Sequence, residues 1–127
     1  MKIDVRSKSR TDLINITAEI EKNVKIKEGV IVVYSPHTTC GIFVNENEPE
    51  LLKDIKNFLE KTVPAGKWAH DYQEGNADSH LKGILLGHSA VIPVENGKLQ
   101  LGTWQSVFFA ELDGPRTREI IIKEIKS

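Results

Sequence analysis

The sequence predicts an α+β domain, a largely antiparallel sheet or sandwich with two or three helices packed against it. Three observations carry that prediction. Residues 30–34 (VIVVY) form an unbroken β-branched run of the kind found in central strands. Residues 48–63 repeat apolar side chains at helical spacing. The last third of the chain alternates short strand-like runs with Asn96-Gly97 and Asp113-Gly114-Pro115, both of which are turn chemistry.

The elements follow in chain order. Residues 3–7 and 13–17 alternate apolar and polar positions, which predicts two half-buried strands with Ser7–Asp12 as the turn between them. Thr17 is placed to cap a short helix that Gly29 would end. Residues 30–34 then read as a strand buried on both faces. In the helix Glu48–Val63, Asn47 is the expected N-cap, with Glu50 completing a capping box and Pro49 in the tolerant first turn. Its apolar stripe is Leu51, Leu52, Ile55, Phe58, Leu59 and Val63.

A loop rich in glycine and polar residues runs to Gly75. A second helix is expected over about Ala77–Leu86, capped by Asn76 or Asp78 and stopped by Gly87. Leu81, Ile84 and Leu85 are its expected buried side, with His80 at the edge of that face. Residues 89–94 and 98–101 form a hairpin about Asn96-Gly97. Strands at 104–111 and 118–125 close the chain, with Trp104 expected as a core anchor.

Length and composition bound the function. The chain has 127 residues, 39% of them hydrophobic and 28% charged, the mix of one ordered domain over 1–127. Its formal charge of -1 lacks the basic footprint of general nucleic-acid binding. No signal peptide or membrane-spanning run is legible, so a cytoplasmic protein is expected. Cys40 is the single cysteine, which excludes an intrachain disulfide and a CxxC metal or redox motif. It reads as a small core residue.

The four histidines are His37, His70, His80 and His88. His37 follows the strand 30–34, where a rigid element can aim a side chain. Singly, each reads as a surface or hydrogen-bonded residue, and no HxH, HExxH or other short zinc spacing occurs. Arg116 and Arg118 lie two apart on a strand-like segment and share a face. They read either as surface salt-bridge partners or as a grip on a phosphate or carboxylate.

Taken together, these stretches resemble a known family. Ser35-Pro36-His37-Thr38-Thr39, Val44-Asn45-Glu46-Asn47, Trp68-Ala69-His70-Asp71, Asn76-Ala77-Asp78-Ser79-His80-Leu81-Lys82, Leu99-Gln100-Leu101-Gly102-Thr103-Trp104-Gln105 and Glu111 with Asp113-Gly114-Pro115-Arg116-Thr117-Arg118 stand in the order found in the YjbQ-like family. That family is often labelled secondary thiamine-phosphate synthase. The resemblance implies an α+β homotrimer with a polar pocket near subunit contacts. It also implies a divalent metal, zinc, on His37, His70 and His80. Glu46 and Asp71 are then candidates to orient the imidazoles, with Glu46 alternatively a general base toward metal-bound water.

The implied activity joins a hydroxymethylpyrimidine diphosphate to a thiazole phosphate and releases pyrophosphate. Arg116 and Arg118 would stabilise the leaving group, and Trp104 would stack on a heterocycle. Two other readings compete: a metal-dependent hydrolase of an ester or lactone, and a non-catalytic trimeric ligand-binding protein.

Overall fold

A computed structural model describes residues 1–127. Eight strands and three α-helices run in the order β1 (Lys2–Arg6), β2 (Asp12–Asn15), α1 (Thr17–Asn23), β3 (Gly29–Tyr34), β4 (Cys40–Glu46), α2 (Pro49–Thr62), α3 (Ala77–Leu86), β5 (Ser89–Glu95), β6 (Lys98–Leu99), β7 (Gln105–Glu111) and β8 (Thr117–Lys126). A single 3-10 turn, Ala69–Tyr72, precedes α3. The strands form two antiparallel sheets, β1-β8-β3-β5-β6 and β2-β7-β4.

The sheets pack face to face over one core that includes Ile31, Val33, Ile42, Ile92, Val107, Phe109, Ile120 and Ile122. A second apolar cluster, Leu13, Leu59, Phe108, Ala110 and Leu112, lies under the helices on the other face of the smaller sheet. Strand β7 is therefore covered on both sides, and its Val107–Glu111 segment is buried without alternation. The strand expected to be buried on both faces is β3, but only its Ile31 and Val33 side is fully covered. Val30 and Val32 stay half-buried and Tyr34 is exposed, because no helix lies on the outer face of the larger sheet.

Several local expectations are corrected. The two expected N-terminal strands form, β1 pairing with β8 and β2 with β7, so the Ser7–Asp12 turn carries the chain from one sheet to the other. Thr17 makes no cap. Its hydroxyl accepts from the Val107 amide at 2.8 Å and so ties α1 to β7. Glu48, not Asn47, caps α2 by accepting from the Glu50 and Leu51 amides. Pro49 at the first helical position holds Glu48 extended, which moves the cap one residue along. Strand β4 has no counterpart among the expected elements. Asn96 and Gly97 both have positive φ, as the expected two-residue hairpin turn requires. Trp104 is no core anchor: it is 72% exposed, in the turn before β7.

The largest correction concerns α3. Its bounds match expectation, but its buried face is Ala77, Asp78, Ser79, Lys82 and Gly83. Ile84 and Leu85 point outward, 73% and 52% exposed, while the Lys82 residue is 1% exposed. Small residues decide this orientation. A Cβ on Gly83 would stand 2.8 Å from the Cys40 carbonyl oxygen, and one on Gly41 would stand 2.8 Å from the Leu86 Cβ. The helix therefore approaches β4 closely along its small-residue side. The charges carried inward are paired: Lys82 donates to Asp78 and Glu60, both at 2.8 Å, and Arg10 binds the Asp78 carboxylate through both terminal nitrogens.

Candidate functional site

Three connections converge at one end of the sandwich. They are the β3–β4 loop, the loop entering α3, and the turn between β7 and β8. Together they enclose a cavity of about 350 Å³ lined by Pro36, His37, Thr38, Thr39, Glu74, Asn76, His80, Asp113, Arg116 and Arg118. Nine of these ten side chains are polar or charged. The size is at the small end for a metabolite pocket.

Buried charges form the base of the cavity. Glu111, fully buried at the end of β7, accepts from Arg118 Nε at 2.9 Å and from Arg118 Nη2 at 2.6 Å. Thr39 accepts from the same Nη2 through its hydroxyl at 2.8 Å and its carbonyl at 3.3 Å. Ser7 and the Asp113 amide donate to the remaining capacity of Glu111. Burial alone would push the Glu111 carboxyl up, but the Arg118 guanidinium and these donors hold it below the usual range.

Arg118 Nη1 makes no hydrogen bond within the chain, and no buried side-chain nitrogen or oxygen lacks a partner. That nitrogen therefore opens to the cavity. Arg116 is held similarly, by Nη2 to the Asp113 carboxylate at 3.2 Å and by Nε to the Asp113 carbonyl at 2.9 Å, again with Nη1 free. Both guanidinium groups are fixed by acidic partners and each presents one unused donor edge.

His37 reaches the cavity from the loop after β3, and its Nε2 lies against the Glu119 backbone, 2.9 Å from the carbonyl and 3.2 Å from the amide nitrogen. His80 comes from α3. His70 comes from the 3-10 turn, meets His80 edge-on with ring centroids 4.9 Å apart, and places Nε2 3.0 Å from Asn76 Oδ1. His70 and His80 also line an adjoining slot of about 270 Å³ with Trp68, Ala77 and Leu81. Trp68 is the aromatic wall here, its indole N–H anchored to the Pro64 carbonyl at 2.7 Å.

The sequence-derived candidates are thus partly assembled. His37, His80, Arg116 and Arg118 share one cavity, and His70 adjoins it. Glu46 does not join them. It lies at the far end of β4 from Cys40, roughly 20 Å along the strand. Asp71 orients no imidazole: it accepts from the Trp68 and Ala77 amides and closes the turn before α3. Asn76 holds His70 instead.

Cys40 is fully buried, with its sulfur 2.6 Å from the Ser35 hydroxyl, and burial pushes its thiol up. Tested as a zinc set, the histidines do not fit within one chain. No group of three or more His, Cys, Asp or Glu side chains is arranged to hold a metal ion. Nε2 of His37 and Nε2 of His70 are also engaged by Glu119 and Asn76.

Sequence reasoning missed the support around these residues: Asn76, Glu111, Asp113 and Thr39. One signal was available. Glu111 ends an otherwise apolar run, VFFA, where a buried acid demands a cation.

These features define a two-sheet α+β domain with a charge-floored polar cavity at one end. The chain belongs to the YjbQ-like family: the family model described as UPF0047 protein YjbQ-like matches residues 1–127. It is 49% identical to a UPF0047 protein of Archaeoglobus fulgidus over 98% of this chain and 100% of the relative. It is 40% identical to UPF0047 protein YugU of Bacillus subtilis over 95% of each chain. A crystal structure of a YjbQ/UPF0047 family protein from Clostridium acetobutylicum superposes with a TM-score of 0.93 at 41% identity, covering 98% of this chain and 99% of the other. That of a YbjQ-like protein of unknown function from Sulfolobus solfataricus gives 0.96 at 36% identity, covering 100% and 96%. No helix is long and apolar enough to cross a membrane.

Proposed function

We propose that the cavity binds a small phosphorylated molecule and that the chain is an enzyme acting on it in the cytoplasm. One observation carries this reading. Two guanidinium groups are each fixed by a carboxylate with a free edge in a cavity that also holds His37 and His80. Fixed donors of this kind stabilise developing negative charge without reorganising.

The named activity is the one the YjbQ-like resemblance implies, joining a hydroxymethylpyrimidine diphosphate to a thiazole phosphate. The bond from the pyrimidine methylene carbon to the diphosphate oxygen breaks. A bond from that carbon to the thiazole nitrogen forms, and the electron pair leaves with pyrophosphate. Arg116 and Arg118 donate to the departing group, and His80 or His37 supplies it a proton. The arginines favour this over hydrolysis of an uncharged ester or lactone. The zinc that the resemblance implies on His37, His70 and His80 finds no matching arrangement within one chain, and no step here uses it.

Calorimetric titration with pyrophosphate tests the reading. Binding is expected for the wild type and at least roughly tenfold weaker for Arg116→Ala and His80→Ala, the loss of about 1.4 kcal/mol that a charge-assisted contact supplies. Equal affinity in all three proteins overturns it.

A homotrimer belongs to the same proposal. Its support is two separate apolar surfaces. One is the outer face of the larger sheet, where Val32 opposes Val91 and Tyr34 opposes Ile121. The other is a groove of about 340 Å³ lined by Phe43, Phe58, Leu85 and Leu86 among others. Two unlike surfaces suit the head-to-tail contacts of a closed ring. Sedimentation equilibrium of wild type and Val91→Asp reads the assembly. A monomeric wild type ends it.

A further inference from the structure

The structure assigns Asn76 a positioning role: it fixes His70 as the tautomer with its proton on Nε2, leaving Nδ1 as a proton acceptor. The inference goes beyond the phosphate reading and does not rest on it. Asn76 is 8% exposed and bridges two groups: its Nδ2 donates to Asp113 Oδ2 at 2.9 Å, and its Oδ1 lies 3.0 Å from His70 Nε2.

An amide can be turned either way, and its neighbours decide which. The same Asp113 Oδ2 also accepts from Arg116 Nη2 at 3.2 Å. A carboxylate only accepts, so the NH₂ of Asn76 must face Asp113 and its oxygen must face His70. An amide oxygen also only accepts, so His70 Nε2 must carry a proton. In the neutral ring, Nδ1 then holds a bare lone pair.

Nδ1 has no hydrogen-bond partner within the chain, while the ring lines the slot beside Trp68 and His80. The ordering runs through Arg116, Asp113, Asn76 and His70, from an arginine of the first cavity to an imidazole in the next chamber. A ligand group with an O–H or N–H entering that slot meets a ready acceptor.

Long-range proton–nitrogen NMR on ¹⁵N-labelled protein tests this at a pH well above the usual histidine value of about 6.5. The His70 signals are identified by their loss in His70→Gln. The wild type is expected to show a single form, protonated at Nε2 and bare at Nδ1. Asp113→Asn does not touch His70, yet it frees the Asn76 amide to turn, so a mixture of tautomers is expected. Asn76→Leu is expected to give a mixture too.

A wild-type His70 protonated at Nδ1 overturns the inference outright, with no variant needed. An unchanged single tautomer in folded Asp113→Asn or Asn76→Leu overturns it as well. Neither result bears on pyrophosphate binding, so the two proposals fail separately.

Discussion

Glu111 and Arg118 meet in a two-point contact at the base of the cavity, with neither side chain more than 6% exposed. Apart from the Arg118 edge that faces the cavity, both are withdrawn from water, so each charge depends on the other. Ala in place of Glu111 is expected to cost about 3–5 kcal/mol of stability, because Arg118 stays behind uncompensated. Replacing both together, Glu111→Leu with Arg118→Met, is expected to cost less than the single change. Urea unfolding midpoints of the three proteins decide it. A loss smaller than about 1 kcal/mol for Glu111→Ala contradicts the buried-pair account.

Asp78 governs acid stability. Burial alone would raise its pKa, but the hydrogen bonds from Arg10 and Lys82 outweigh that and bring it from 3.8 to about 2. The folded chain therefore favours the ionised form. Its contribution is complete above about pH 4 and is lost as pH falls toward 2. The depression corresponds to roughly 2 kcal/mol, at about 1.4 kcal/mol per pKa unit. Glu111, also lowered, acts in the same direction. Unfolding free energy followed from about pH 5 down to 2 should fall less steeply in Asp78→Asn than in the wild type. Matching slopes refute the assignment.

Gly83→Ala sets two effects against each other. Alanine favours a helix interior by about 1 kcal/mol. Its methyl group would meet the Cys40 carbonyl at 2.8 Å and the Thr38 carbonyl at 3.3 Å, forcing α3 off β4. Overpacking of that kind costs about 1–3 kcal/mol, so a lower melting temperature is expected. A raised one shows that α3 can shift freely.

Glu46→Gln is expected to leave pyrophosphate affinity unchanged, since its place at the far end of β4 keeps it away from the cavity. Calorimetry beside Arg116→Ala makes the comparison. A large loss in Glu46→Gln shows that the binding site lies elsewhere or spans two chains.

Much of the framework was legible from the sequence. Period and turn chemistry located α2, α3, the Asn96-Gly97 hairpin and β8, because each is governed by local rules. The orientation of α3 was not legible. Apolar periodicity points inward only when apolar contact decides packing. Here the close approach of Gly41 and Gly83 decides it, with Asp78 and Lys82 neutralised by partners distant in sequence. The site divides the same way. His37, His80, Arg116 and Arg118 stood out as residue types. The groups that hold them, Glu111, Asp113 and Asn76, became visible only once separate stretches were brought together.

Trp68 gives the protein a built-in optical gauge. The chain has two tryptophans, and the other, Trp104, sits 72% exposed on a turn that lines neither chamber. Exchanging Trp104 for phenylalanine leaves one indole, tethered at the rim of the slot that His70 and His80 also line. The emission of that single fluorophore then reports, without any label, when the slot fills and how fast it empties.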